Sequence, residues 1–334
     1  MTNRRQGYRI DRRALISLVI GATTWPFAVR AQQKAMPVVG FLGIASAALY
    51  ESRLDAFRQG LSDTGQVEGQ SLTIEYRWAE GRYDRLPALA AELVDRKVDA
   101  IVATASPAAL AAKRATPTIP IVFVAVADPV AAGLAASLAR PGGNITGIST
   151  MSVELIPKRL ELLCELVPQA KVIALLVNPN NSYTERIIAG SQEAARARDV
   201  ALQILKAGIE TEIDSAFASL NQLGAGALLV GADPLFANRR EQLVALSASH
   251  AVPAISESRE FAEAGGLISY GPSIIDTYRQ AGMYLGRILK GERPADLPVQ
   301  QPSRFELIVN LKTAQSFGLT VPPSILARAD EVVE

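Results

Sequence analysis

The chain has 334 residues, 49% hydrophobic and 20% charged, with a formal net charge of +1, an ordinary globular composition long enough for two domain cores. One cysteine and one histidine exclude an intramolecular disulfide and leave a histidine-built metal site or a Ser-His-Asp triad without a supporting cast. The basic excess is local. Residues beyond 31 carry 28 basic and 32 acidic side chains, so nucleic-acid binding has no electrostatic basis.

Residues 1–31 read as a secretory signal. Arg4, Arg5, Arg9, Arg12 and Arg13 precede the apolar run Ala14 to Ala28, and Val29-Arg30-Ala31 offers a small-residue cleavage site. The apolar run is shorter than the roughly 20 residues of a spanning helix, so no stable membrane insertion is expected after cleavage. Arg12-Arg13 followed by Leu15 and Ile16 resembles a twin-arginine export signal, with the general secretory route as the alternative. A soluble periplasmic protein is the expected product, since no cysteine stands near the cleavage site to carry a lipid.

Next comes Pro37 to Ile44, an apolar first strand, and then Tyr50, Leu54, Phe57 and Leu61 on one helical face. Ser71 to Trp78 alternates as an edge strand does, and Leu86, Leu89, Ala90, Leu93 and Val94 form the next helix stripe. Ala100 to Pro107 and Pro120 to Asp128 are apolar runs without alternation, as expected of strands buried on both faces, and the small residues after Asp128-Pro129 read as a helix start. Pro141-Gly142-Gly143-Asn144 breaks the pattern. A short strand, Ile145 to Ser149, and a helix, Val153 to Val167, then open a second series with strands near 171–177, 200–205, 226–231 and 252–256. Cys164 lies on the apolar face of that helix and reads as a buried filler. Gly265 to Gly271 reads as a return crossing, followed by a long helix with Ala281, Tyr284, Leu285 and Ile288 on one face, then a strand, Phe305 to Leu311, and a short helix near Thr313 to Phe317. Strands alternating with helices predict two doubly wound parallel α/β lobes. Lobe 1 takes residues 37–148 plus 272–300 and lobe 2 takes 149–268 plus 303–334, joined by a multi-strand hinge that turns near Gly147 and Gly271.

Four strands end in the same way, at Ser106-Pro107, Asp128-Pro129, Asn178-Pro179 and Asp233-Pro234. Ligands of open α/β sheets bind outside such carboxyl edges, which makes these four residues candidates for one site. Each is also a candidate helix cap.

The segments PVVGFLG, EYRWAEGRYDRLPALA, IPIVFVAVADPVAAGL, RPGGNITGIS, KRLELLCELVP, VIALLVNPNN, GALLVGADP, GGLISYG and SRFELIVNLKTA closely resemble those of the ABC-transporter substrate-binding proteins of the tryptophan/tyrosine type. The likeness runs from about residue 37 to the end. It implies a type I periplasmic-binding-protein-like fold, a small-molecule ligand held between two lobes and delivered to a membrane permease driven by an ATPase, no cofactor or metal, and an aromatic amino acid as leading ligand. A monomer is expected. A sensor feeding a signalling partner would need the same cleft and stays open as the alternative.

An amino acid presents a carboxylate and an ammonium, so its cleft needs orphan N–H donors opposite an acid. Helix starts after Ser46 and Ser106 are candidates for the donors. Asp128, Asp233 and Glu257 are candidates for the acid, with Asp128 assigned to the ammonium. Asn178 completes the edge, and Tyr183 and Tyr270 are candidate aromatic walls, beside Tyr50, Trp78 and Phe236. No catalytic residue is expected: there is no phosphate-binding or dinucleotide fingerprint, and one cysteine cannot supply the opposed thiols of a two-lobed racemase.

Overall fold

A computed structural model of the chain describes Thr2 and residues 36–334. The expected export signal lies outside the described residues.

The first sheet has five parallel strands in the order β2-β1-β3-β4-β5: β1 Val38–Gly43, β2 Thr73–Trp78, β3 Ala100–Thr104, β4 Ile121–Val126 and β5 Ile145–Ser149. Its helices are α1 (Glu51–Asp63), α2 (Leu86–Asp95) and α3 (Ala105–Ala115). Alternation within the central strands divides the core. Val39, Phe41, Val102 and Val124 pack with Leu54, Phe57 and Leu61 of α1, while Leu42, Ile101, Ala103 and Phe123 pack with Leu89 and Leu93 of α2 and the alanines of α3. Both faces being covered, these strands need no polar side, and each buried Val, Leu or Phe contributes about 1.5–3 kcal/mol.

The sequence predicts a helix start after Pro129, and the structure has none before β5. Asp128 instead closes a turn, its Oδ1 accepting the N–H groups of Val130 and Ala131 at 3.1 and 2.9 Å. The turn stops at Gly133, whose φ of 66° is left-handed and breaks a helical ladder, and Lys113 Nζ takes the freed carbonyls of Gly133 and Leu134 at 2.6 and 3.0 Å.

The second sheet has seven strands in the order β12-β11-β10-β9-β8-β6-β7, parallel except between β10 and β11. In chain order its elements are α4 (Ile156–Leu166), β6 (Val172–Val177), α5 (Thr184–Arg196), β7 (Ala201–Lys206), α6 (Glu210–Ser219), β8 (Ala227–Val230), α7 (Pro234–Asn238), α8 (Arg240–Ser249), β9 (Ala254–Ser256), α9 (Arg259–Glu263) and β10 (Ile268–Pro272). After α10 (Ile274–Leu289) come β11 (Phe305–Asn310), α11 (Leu311–Ser316), α12 (Pro323–Leu326) and β12 (Glu331–Val333). The sequence reading missed α12 and β12. Cys164 is half-buried against this lobe's core, not enclosed in it.

Although α10 follows a strand of the second sheet, it packs on α1 over the first: Tyr278, Ala281 and Leu285 join Phe57 and Leu61 in one cluster. The chain therefore passes between the sheets after β5, after β10 and before β11. These segments lie side by side, with Ser149 N–H donating to Gln300 O at 2.8 Å, Gln300 N–H to Gly147 O at 2.9 Å and Ser273 N–H to Arg304 O at 3.3 Å.

Candidate functional site

The carboxyl edges of the two sheets face each other across a cavity lined by Tyr50, Arg53, Ser106 and Tyr278 from the first lobe and by Tyr183, Asp233, Glu257 and Glu260 from the second, with Thr150, Ser152 and Pro272 of the connecting segments between them. The space open to the centre of a water molecule is about 110 Å³.

Glu257 stands just past β9. Its Oε2 accepts from Ser152 Oγ at 2.7 Å and from Arg159 Nη2 at 3.4 Å, whereas its Oε1 takes no hydrogen bond from any described residue. Arg159 is 1% exposed, and it also donates to the carbonyls of Tyr270 at 2.8 Å and Ser152 at 3.0 Å. Burial lowers its pKa, and the Glu257 carboxylate opposes that. A buried guanidinium held by two carbonyls in this way fixes the carboxylate beside it.

A second acid, Glu260 on α9, reaches across the cleft to α1, where Arg53 Nη2 donates to its Oε1 at 2.9 Å. Burial pushes the Glu260 carboxyl up, but the charge and hydrogen bond of Arg53 outweigh burial and hold it below the usual glutamate value. Its Oε2 is buried without a partner. Arg53 also lies over the Tyr50 ring, 5.5 Å from its centroid.

Opposite these acids is the start of α3. Thr104, at the cap position, does not cap; its hydroxyl pairs with Tyr50 Oη at 3.0 Å and accepts Ile44 N–H at 3.2 Å. The first amides of the helix are thus left without a side-chain partner beside Ser106, which is 5% exposed, and a helix start of this kind suits an anion. The backbone here is strained. Ala105 (φ 60°), Ala125 (φ 59°) and Met151 (φ 54°) are left-handed without being glycine, at about 1–3 kcal/mol each, and Ala125 marks a register shift of β4 against β5. Ala105 and Ala125 line the cavity.

Of the residues singled out from sequence, Ser106, Tyr183, Asp233 and Glu257 line the cavity, and Ser46, Asp128, Asn178 and Tyr270 stand outside the lining. Ser46 is half-exposed and begins a short turn without capping it. Asp128 gives one oxygen to its own turn and the other to Arg186 of α5. Asn178 donates to Asp233 Oδ1 at 3.0 Å. Tyr270 offers Arg159 its carbonyl, while its ring stacks on Phe305 at 6.3 Å. Trp78 belongs to a cluster with Phe41, Tyr50 and Tyr76. Asp233 is occupied on both oxygens: Oδ1 accepts from Tyr83 Oη, Asn178 Nδ2 and Leu235 N–H at 3.0, 3.0 and 2.8 Å, and Oδ2 from Asn181 Nδ2 at 2.7 Å. Burial raises its pKa, and these donors act against the rise.

Sequence reasoning missed Arg53, Arg159, Glu260 and Tyr83. Only Arg159 left a readable trace, since it falls on the stripe Ile156, Leu160, Leu163, Leu166 that α4 buries.

Two doubly wound lobes, three connecting segments and a cavity between facing strand edges define a two-lobed solute-binding protein. A sequence model of the family described as ABC transporter substrate binding protein matches residues 18–333, and the chain belongs to that family. A tyrosine-binding protein of Clostridioides difficile is 29% identical over 266 residues, 79% of this chain and 75% of that one. A Streptococcus pneumonia ABC domain solved in complex with L-Trp is similar at 26% identity and TM-score 0.82, covering 89% of this chain and 99% of that one. The ligand-free, open structure of a Clostridium difficile substrate binding protein with adhesive properties has the same identity and coverage but a TM-score of 0.65. The lobe arrangement here therefore resembles the ligand-bound relative more than the open one. Among the described residues no helix is long and apolar enough to cross a membrane, and no cluster of His, Cys, Asp and Glu is suited to a metal ion.

Proposed function

We infer that this protein is the receptor of an ABC importer that captures an aromatic L-amino acid between its lobes outside the cytoplasmic membrane and hands it to a permease and its ATPase. The observation that carries the ligand class is a pair of groups lining one cavity: a carboxylate oxygen that receives no donor, Glu257 Oε1, and an uncapped helix start at Ser106. An ammonium and a carboxylate on one carbon match that pair, and Tyr50, Tyr183 and Tyr278 supply ring surface for the side chain. The names of the C. difficile and S. pneumonia relatives support tyrosine and tryptophan as the first ligands to try. Export by the signal at residues 1–31, through the twin-arginine or the general route, and a monomeric state complete the reading.

Calorimetry on the protein from Gln32 onward tests it with L-tryptophan and two truncations, tryptamine without the carboxylate and indole-3-propionate without the ammonium. Tryptophan should bind far better than either. Glu257→Gln should weaken tryptophan roughly ten- to a hundred-fold, the worth of one charge-assisted hydrogen bond, while leaving indole-3-propionate unchanged. Equal losses for both ligands would remove Glu257 from the ammonium site.

A further inference from the structure

We propose that Tyr83 and Asp233 form a closure latch: a hydrogen bond between the lobes, donated by a side chain that does not line the cavity, that sets how long the lobes stay shut. The proposal rests on the reading of the preceding section that a ligand is captured between two lobes, and adds that the lobes close on it. It does not depend on which ligand the cavity takes.

Tyr83 belongs to the first lobe and Asp233 to the second, and the phenol donates to Asp233 Oδ1 at 3.0 Å. Asp233 lines the cavity, and both its oxygens already accept hydrogen bonds, three on Oδ1 and one on Oδ2. Tyr83 does not line the cavity. Three of the four donors to Asp233 come from its own lobe and hold the carboxylate in place whether the lobes are open or shut. Only Tyr83 arrives from across the cleft. A carboxylate 5% exposed gains from each added donor, because charge-assisted hydrogen bonds are the strong ones in a low-dielectric setting.

Tyr83 is held ready as well. Its ring packs against the core of its own lobe, beside α2 and α3. The loop carrying it is tied to the end of β1, with Ala79 N–H donating to Gly43 O at 2.9 Å and Gly81 N–H to Ile44 O at 2.7 Å. Glu80 and Gly81 are both left-handed, at φ 55° and 76°, which turns the chain sharply and sets Tyr83 toward the other lobe. Two preorganised partners lose little freedom on meeting, so the bond should act on the lifetime of the closed state, where most affinity differences between related complexes arise. Tyr183 of the second lobe makes a companion contact, donating to Asp128 O at 2.7 Å. It lines the cavity, so Tyr83 is the cleaner test of latching.

Tyr83→Phe removes the donor and keeps the ring. With one dye on each lobe, single-molecule fluorescence records brief spontaneous closures as well as closures held by L-tryptophan. Closed dwell times should shorten roughly ten- to a hundred-fold in both conditions, with a matching rise in tryptophan dissociation rate and an unchanged melting temperature of the ligand-free protein. Unchanged dwell times would overturn the latch, and so would a ligand-free melting temperature lowered in step with affinity, which marks a merely structural side chain. If tryptophan and tyrosine fail to bind the unaltered protein while spontaneous closures still shorten in Tyr83→Phe, the latch stands and the ligand class falls.

Discussion

Asp128 illustrates what one residue's position in sequence does and does not fix. Its place at the carboxyl edge of a central buried strand was legible, because an unbroken apolar run ending in Asp-Pro has few other readings. Its role was not, because Arg186 lies on a helix of the other lobe and nothing local predicts their meeting. With Oδ1 capping its turn and Oδ2 on Arg186, Asp128→Asn should keep the cap and lose only an ion pair whose arginine is 46% exposed, a loss of about 1 kcal/mol or less. Calorimetry should then find tryptophan weakened by no more than roughly five-fold, with Arg186→Ala giving the same loss and the double variant adding nothing. A much larger loss for Asp128→Asn alone would return Asp128 to the ligand's ammonium. The place of Glu257 at the cavity was legible more directly, because a carboxylate just past a short strand is local information. Arg159, which fixes it, required noticing a charge on an otherwise apolar stripe.

At the scale of elements, the central strands were read well because both faces of their sheets are covered and these strands are nearly pure apolar runs. The failures have local causes. The stretch after Asp128 has small residues that permit a helix, but Gly133 ends it after one turn, and β12 is three residues long with two of them exposed, too little pattern to see. The docking of α10 on α1 was not legible either, since it depends on contact between distant segments. It rests on small residues in close approach: a Cβ on Gly282 would lie 2.1 Å from Phe57 O, and one on Gly60 would lie 1.9 Å from Arg279 O. Gly282→Ala must therefore push two helix backbones apart. Overpacking of this kind costs about 1–3 kcal/mol, and thermal unfolding should show a clearly lower melting temperature. An unchanged value would mean that the helices slide apart freely.

On the scale of the whole molecule, the contacts that join the lobes include groups that titrate, so closure should respond to pH. Arg53 and Glu260 belong to opposite lobes, and opening separates them. Glu260 faces Arg53 across the cleft and Ser258 on its own lobe, while the phenols of Tyr50 and Tyr278 face Arg53. Burial raises the Glu260 carboxyl, Arg53 overcomes that, and the net value lies below the ordinary 4.5. The open state, without Arg53, loses that depression. Closure therefore releases protons at this site: its contribution is fully present above the open-state value and is lost as pH falls through the closed-state value. Small-angle scattering with saturating tryptophan should thus show a constant, compact radius of gyration near neutral pH and an expansion as pH drops below about 4.5. In Glu260→Gln the same titration should be flatter, because the titrating partner of Arg53 is gone. Identical curves for the two proteins would show that the acid response comes from elsewhere and that the Arg53–Glu260 pair does not hold the lobes.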